Sequence, residues 1–276
     1  MTPKLVTIDL DGTLLRNDCT ISPLTRDAIL ACMENTGTMF VPCTGRSYQN
    51  SLFVLKDFPT FPYYINANGT TLTEGPSKKL LHASALPWEI GCQVYSIAKE
   101  YQTFIEIYHG LTAYDSAVGR ENLRRSDCDE DYIEQLLYTN THLEDLDDFV
   151  LKEKRPISKF HIVCVDSAEK AELKKRLSGL PGVFPISTTA FNIEICCNGW
   201  SKREGLKKLC EILHLSSDEI AAIGDSENDY EMIQWAGCGI AMGNADKKVK
   251  DAARYVTGTN EEDGIVQALK YLDLLK

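Results

Sequence analysis

A short apolar segment near the N-terminus ends in two aspartates, and this pattern limits how the chain can fold. Residues 4–8 are mostly apolar and β-branched, which predicts a buried strand. Asp9 and Asp11 follow, and the alternation of an extended chain would point both carboxylates to the same side. Two like charges held this close repel unless a cation lies between them or one stays protonated. The alternative interpretation is a plain strand followed by a turn at Gly12.

Three further polar clusters follow apolar segments in the same way. They are Thr44-Gly45-Arg46, Ser201-Lys202 and residues 224–229 (Gly-Asp-Ser-Glu-Asn-Asp). In an open parallel sheet, the loops at the carboxyl ends of the strands line one crevice. We therefore expect the side chains of Asp9, Thr44 and Asp225 to lie at one site.

The order of the predicted elements indicates an α/β fold with a parallel sheet. Ser22 and Pro23 begin a predicted helix that Gly37 ends, and residues 38–43 form the next strand, so the chain starts with a βαβ unit. From about residue 83 the pattern changes to amphipathic helices and alternating strands, typical of an α+β domain. We predict a core domain of residues 1–82 and 190–276, to which a strand at 191–195 returns the chain, and an inserted α+β domain of residues 83–189.

Composition excludes several classes of protein. A formal net charge of −11 and an isoelectric point near 5.0 argue against a nucleic-acid partner or an anionic membrane surface. The ten cysteines are scattered without a Cys-x-x-Cys pair, which favours reduced thiols in a cytosolic protein. The first strand begins too early to leave room for a signal peptide, and no apolar run approaches the length of a membrane span. We expect a cytoplasmic protein.

In this order the clusters resemble the four signature motifs of the haloacid dehalogenase (HAD) superfamily of phosphohydrolases. The first motif is residues 9–13 (Asp-Leu-Asp-Gly-Thr), and two accessory segments, residues 66–69 (Asn-Ala-Asn-Gly) and 242–245 (Met-Gly-Asn-Ala), add to the likeness. The long region between the second and third motifs resembles a C2 cap, most closely type C2B, as in the Cof-type subfamily. The resemblance spans nearly the whole chain and implies a Rossmann-like HAD core with an inserted cap.

The resemblance also implies a catalytic role for each matching residue. Asp9 would be the nucleophile that forms an aspartyl-phosphate. Asp11 would act as general acid and base, and its main-chain carbonyl would bind the metal. Thr44, helped by a main-chain N–H near Gly45, would bind phosphate. Lys202 would hold the nucleophile and the phosphate together, although a lone lysine near a helix start is usually a solvated surface residue.

The fourth cluster would complete a Mg²⁺ site. Asp225 would bind the ion directly and Asp229, one helical turn later, through water, so that the implied metal residues are Asp9, Asp11, Asp225 and Asp229. Asn228 would contact phosphate. The alternative is that Asp225 and Asp229 merely favour a helix N-terminus. Arg203 departs from the family pattern, which often has glycine after the lysine.

The function implied by the resemblance is Mg²⁺-dependent hydrolysis of small phosphorylated metabolites, with sugar phosphates as one candidate class. A phosphotransferase or phosphomutase of the same fold is an alternative, because the aspartyl-phosphate could pass to a second hydroxyl. A regulator that binds a phosphometabolite without turnover is the alternative outside enzymes. We expect a monomer or a small homo-oligomer with a small-molecule substrate, and neither a nucleic-acid nor a membrane partner.

Overall fold

The computed structural model describes residues 2–276, and the chain divides into two compact units. The first unit comprises the N-terminal segment up to Gly45, Val54–Leu81 and Ser201–Lys276. The second comprises Arg46–Phe53 and His82–Trp200. The chain therefore crosses between the units four times.

The strands are numbered in chain order. They are β1 (Leu5–Ile8), β2 (Met39–Pro42), β3 (Tyr63–Asn66), β4 (Thr71–Glu74), β5 (Lys79–Ala83), β6 (Thr103–His109), β7 (Thr112–Ser116), β8 (Thr141–Leu143), β9 (Lys159–Cys164), β10 (Asn192–Cys196), β11 (Ile220–Gly224), β12 (Cys238–Ala241) and β13 (Tyr255–Val256).

The α-helices are numbered in the same way. They are α1 (Pro23–Thr36), α2 (Tyr48–Val54), α3 (Trp88–Ala98), α4 (Ala117–Arg124), α5 (Glu130–Thr139), α6 (Ser167–Ser178), α7 (Lys202–Leu213), α8 (Tyr230–Trp235), α9 (Lys247–Ala252) and α10 (Gly264–Tyr271). Short 3₁₀ helices occur at Ala67–Gly69, Ser217–Glu219, Glu227–Asp229 and Asn260–Glu262, and a π-helix at Asp148–Lys152. No helix within residues 2–276 is both long enough and apolar enough to cross a bilayer.

The first unit is built on a parallel five-stranded sheet in the order β13-β12-β11-β1-β2. All four residues of β1 are buried, as a continuous apolar strand at the centre of a parallel sheet should be. The predicted βαβ start is present, because the Ser22 side chain accepts a hydrogen bond from the Thr25 N–H and Gly37 ends α1 with φ 68°. A second, three-stranded sheet contains β3, β4 and β5. The predicted α/β fold with a parallel sheet is confirmed.

The second unit has a mixed five-stranded sheet in the order β10-β9-β6-β7-β8. One face is apolar and packs with residues of α3 and α6, as at Ile105 and Ile162. The alternate positions carry buried polar side chains that pair with one another. Lys159 Nζ donates to Glu194 Oε1 at 2.7 Å, and one ring nitrogen of a buried histidine lies 2.8 Å from Glu106 Oε2. Pairing limits the cost of burying these charges.

Strand β10 corrects the prediction that residues 191–195 return the chain to the core domain. Asn192–Cys196 pairs antiparallel with β9, and the second unit extends to Trp200. The alternating pattern identified a strand, but it could not identify the partner. Later in this unit, Ile186 forms an isolated bridge with Glu194, and the π-helix Asp148–Lys152 follows β8.

Candidate active site

Three strands of the first unit end level with one another, and polar residues follow each of them. In the register, Ile8 lies beside Pro42 of β2 and Ile223 of β11. Asp9 continues β1 by donating its N–H to the Ile223 carbonyl at 3.0 Å. Parallel strands that end together bring the residues after them to one edge of the sheet. The structure thus places the segments that begin with Asp9 and Asp225 at that edge.

Three buried or half-buried carboxylates meet at this edge. One oxygen each of Asp9, Asp225 and Asp229 lies within 4.8 Å of the others. Lys202 Nζ donates to Asp9 Oδ1 at 2.5 Å and to Asp229 Oδ1 at 2.6 Å, and its side chain is 1% exposed. Lys202 is therefore not a solvated surface lysine. One ammonium group cannot neutralise three carboxylates, so the cluster attracts a further cation.

Burial and the neighbouring charges shift the pKa values of Asp9, Asp225 and Lys202. Burial and the nearby charge of Asp229 raise the pKa of Asp9 well above its usual value, although Lys202 opposes the shift. Burial, with Asp229 again contributing, raises the pKa of Asp225 to about 6. Burial alone would lower the pKa of Lys202, but the attraction of Asp229 and Asp9 outweighs it and raises that pKa. The lysine stays charged, and the carboxyl groups of Asp9 and Asp225 hold their protons more tightly than in water.

Asp229 uses both of its carboxylate oxygens within the protein. Oδ1 accepts the bond from Lys202, while Oδ2 accepts from the main-chain N–H groups of Asp225 and Ser226 at 3.1 and 3.0 Å. Asp229 therefore stabilises the turn that leads to the 3₁₀ helix Glu227–Asp229, as the helix-start interpretation predicted. It also belongs to the carboxylate cluster, which that interpretation did not include. Its water-mediated role at a metal stays a prediction.

The Asp225 carboxylate is held by the turn that follows Asp9. Thr13 Oγ1 donates to Asp225 Oδ1 at 2.9 Å, and Ser226 Oγ donates to Oδ2 at 3.2 Å. Gly12 has φ +74°, and a Cβ atom there would lie 2.5 Å from Asp225 Oδ2. Glycine is thus required twice, by the backbone conformation and by the close approach of the carboxylate.

Asp11, Thr44 and Gly45 are placed less directly. Asp11 is exposed, and its carboxylate lies outside the cluster of three. Its proposed acid–base role and its main-chain metal ligand stay predictions. Thr44 is fully buried, with its N–H donating to the Ile65 carbonyl at 2.9 Å and its carbonyl accepting from the Asn68 N–H at 3.0 Å. These bonds fix the main chain at the predicted phosphate-binding segment.

A turn with left-handed backbone contacts two of the polar clusters, at Thr44 and at Asn228. Ala67, Asn68 and Gly69 have φ values of +50°, +55° and +91°, which is costly for alanine. Besides its bond to Thr44, Asn68 accepts a hydrogen bond from Asn228 Nδ2 at 3.2 Å. Within the described chain no group donates to the buried Asn228 Oδ1. One of the two N–H groups of Asn228 Nδ2 donates to Asn68, and the phosphate contact of Asn228 stays a prediction.

Three site residues have roles that were not evident from the sequence: Thr13, Asn68 and the asparagine of the 242–245 segment. Two of the three lie in the accessory segments that were noticed for their likeness to the family. The signal that could have identified Asn68 is the Asn-Gly pair, since both residues tolerate left-handed backbone. Thr13 is the last residue of the first motif, but a threonine after a turn is common and its type alone indicated no role.

Residues 6–269 match the model of the haloacid dehalogenase-like hydrolases. The chain belongs to this family. The family resemblance noted from the motifs is thereby confirmed.

Individual relatives match along nearly their whole length. The 5-amino-6-(5-phospho-D-ribitylamino)uracil phosphatase YitU of Bacillus subtilis is 29% identical, and the match covers 97% of both chains. The pyridoxal phosphate phosphatase YbhA of Escherichia coli is 28% identical, with 97% of both chains covered. A solved haloacid dehalogenase-like hydrolase from B. subtilis superposes with a TM-score of 0.84 at 26% identity, covering 98% of this chain and 99% of the other. This member of the family is a phosphatase.

Proposed function

We propose that this phosphatase hydrolyses small phosphorylated metabolites with the help of Mg²⁺ and through an aspartyl-phosphate on Asp9. One observation carries the proposal. The Asp9 carboxylate lies at the end of a central strand, 4% exposed, with one oxygen bound to the Lys202 ammonium group at 2.5 Å. A carboxylate that is fixed by one oxygen presents the other in a defined direction, which suits in-line attack on phosphorus.

The residues around Asp9 fit a divalent cation. Carboxylate oxygens are the ligands that Mg²⁺ prefers, and the cluster of Asp9, Asp225 and Asp229 keeps a net negative charge after pairing with Lys202. We assign the direct ligands to Asp9, Asp225 and the Asp11 carbonyl, with Asp229 acting through water. When bound, the cation offsets the negative charge of the phosphoryl oxygens.

The chain's own groups supply the remaining steps. The free oxygen of Asp9 attacks phosphorus, and the bond between phosphorus and the leaving oxygen breaks as Asp11 donates a proton to that oxygen. Asp11 then accepts a proton from water, which attacks the phosphorus of the aspartyl-phosphate and releases inorganic phosphate and Asp9. Thr44, the main chain at Gly45 and the Lys202 ammonium group bind the phosphoryl oxygens.

The substrate class is supported by the relatives. YitU is named for a phosphoribityl compound and YbhA for pyridoxal phosphate, which are both small phosphate esters. We extend that class to this chain and include sugar phosphates. The second unit is inserted between the segments that carry Thr44 and Lys202, and we assign it the role of a cap. Within residues 2–276 the ten cysteines form no disulfide, in keeping with our proposal of a cytoplasmic enzyme.

The experiment is a measurement of phosphate release from a panel of sugar phosphates, pyridoxal phosphate and flavin mononucleotide, with Mg²⁺ or with a chelator. Asp9→Asn removes the nucleophile with little change in shape. Asp27→Asn makes the same chemical change at an exposed position on α1 and serves as the matched control. We expect metal-dependent release in the wild type and the control, and none in Asp9→Asn.

Three outcomes would contradict the proposal. Release that persists in Asp9→Asn would exclude the covalent intermediate. Tight binding of a phosphate ester without release, in a folded and metal-loaded protein, would favour the regulator. Transfer of phosphate to an added polyol in preference to water would favour the phosphotransferase.

A further inference from the structure

Asn244 links the turn after Asp9 to the Asp225 carboxylate. It lies in the loop after β12, where its Nδ2 donates to the Gly12 carbonyl at 2.8 Å and lies 3.4 Å from Asp225 Oδ2. Its Oδ1 accepts from the Asn260 N–H at 3.1 Å. A carbonyl can only accept and an N–H can only donate, so these two main-chain partners fix the orientation of the amide.

A second asparagine holds the same segment from further along. Asn260 is 8% exposed, and its Nδ2 donates to the Leu15 carbonyl at 3.0 Å and to Asn17 Oδ1 at 3.1 Å. The Asn17 N–H in turn donates to Glu261 Oε1 at 2.7 Å. The chain that follows the proposed nucleophile is thus tied, through Asn244 and Asn260, to loops near the C-terminus.

The contacts of Asp225 show what Asn244 adds. Oδ1 accepts from Thr13, which lies in the first motif, whereas Oδ2 is approached by Ser226 and Asn244. Ser226 is the next residue and moves with the same loop. Of these two residues near Oδ2, Asn244 is the one that also donates a hydrogen bond to the Gly12 carbonyl. Without it, the side-chain hydrogen bond from Thr13 and the main-chain pairing of β1 with β11 would set the spacing between that turn and the Asp225 carboxylate.

We propose that Asn244 is a positioning residue for the divalent-cation site, an inference that rests on the metal requirement of the proposed function. The Asn244 amide fixes the Gly12 carbonyl and Asp225 Oδ2 relative to each other. It thereby keeps the carboxylate and the turn after Asp9 at the spacing that a bound cation needs. Groups that orient metal ligands in this way typically change metal affinity by about 10- to 100-fold when they are removed.

Calorimetric titration of the metal-free full chain with Mg²⁺ and Mn²⁺ tests this role. We expect Asn244→Ala to raise the dissociation constant at least about tenfold. Phosphate release should recover toward the wild-type kcat as the metal concentration is raised, with KM for the ester unchanged. Thr13→Val removes the other cross-loop donor to Asp225 and should weaken metal binding to a similar extent.

Asn35→Ala is the matched control, since the Asn35 amide is exposed on α1 and donates to the Ala31 carbonyl. It should bind metal like the wild type. Thermal unfolding of the metal-free proteins shows whether Asn244→Ala is folded. Unchanged metal affinity in folded Asn244→Ala would overturn the positioning role of Asn244 but not the proposed reaction. An activity loss that excess metal does not restore would have the same consequence. A wild type that binds metal but releases no phosphate would overturn the proposed reaction alone, and one that binds no divalent cation would overturn both.

Discussion

Lys202 Nζ lies 2.5 Å from Asp9 Oδ1, although 193 residues separate them in the chain. The same nitrogen lies 2.6 Å from Asp229 Oδ1. One buried ammonium group therefore fixes the end of the first strand against the loop after β11. The proposed nucleophile owes its orientation to a side chain that enters from the start of α7.

Removing this cation should destabilise the fold as well as stop catalysis. Lys202→Met leaves buried carboxylates without compensation, which costs about 3 kcal/mol or more in the free energy of unfolding. Urea unfolding at pH 7 measures the loss. The loss should be smaller at pH 5, because the raised pKa values of Asp9 and Asp225 allow protonation there. The double variant Lys202→Met/Asp229→Asn removes one uncompensated charge and should recover part of the stability. A double variant no more stable than the single one would argue against charge imbalance as the cause.

Metal binding should depend on pH through Asp225. Its pKa is raised to about 6 in the metal-free protein, so the stability that this group contributes is full below its unfolded pKa and is lost as the pH rises through about 6. A cation binds the ionised form and reverses that loss. The rise in Tm on adding Mg²⁺ should therefore be large at pH 7.5 and small at pH 5. Asp225→Asn should reduce this pH dependence but not abolish it, because the pKa of Asp9 is also raised. An equal rise in Tm at both pH values in the wild type would contradict the prediction.

Gly12→Ala and Gly37→Ala separate steric conflict from backbone strain. Both glycines have left-handed φ, but a Cβ at Gly37 would meet nothing within 4 Å, whereas one at Gly12 would meet Asp225. We expect each change to cost about 1 kcal/mol of stability through strain. Only Gly12→Ala should also weaken metal binding, as measured by calorimetry. Equal metal affinity in the two variants would show that the Asp225 carboxylate can move aside freely.

The contact between Asn68 and Asn228 can be tested by a double-mutant cycle. Asn68→Gly keeps the left-handed backbone and removes the amide that accepts from Asn228 Nδ2. If Asn68 acts by orienting Asn228, the effects of Asn68→Gly and Asn228→Ala on kcat/KM should be non-additive. The coupling should reach about 0.5 kcal/mol or more. Additive losses would mean that the two residues act independently.

The parts of the fold that depend on local sequence were predictable. The apolar residues of β1 and the Ser22-Pro23 start of α1 specify their structures without reference to distant segments. Strand β10 shows the limit. Ile193 and Ile195 alternate as in any half-buried strand, but the choice of β9 as partner depends on residues about 30 positions earlier.

The candidate site divides in the same way. Its carboxylates were found because aspartates after buried strands are unusual, and the lysine was found through the resemblance to the family. The direct contact of Asp229 with Lys202 was not predicted, because its position one helical turn after Asp225 suggested a water-mediated role at the metal. Asn244 binds main-chain atoms of Gly12 and Asn260. Every residue has these main-chain groups, so the sequence does not indicate which of them Asn244 binds.

The division of the chain constrains how such enzymes could exchange their second units by recombination. Arg46–Phe53 belongs to the second unit, where Asn50 donates to Thr139 Oγ1 at 2.9 Å and accepts from Gln135 Nε2 at 3.3 Å. In a chimaera that receives only His82–Trp200 from a relative, Thr139 and Gln135 would be replaced by the relative's residues, and Asn50 could lose both hydrogen bonds. The short helical segment that directly follows Gly45 must be transferred together with the long insertion, so a working exchange requires two grafts rather than one.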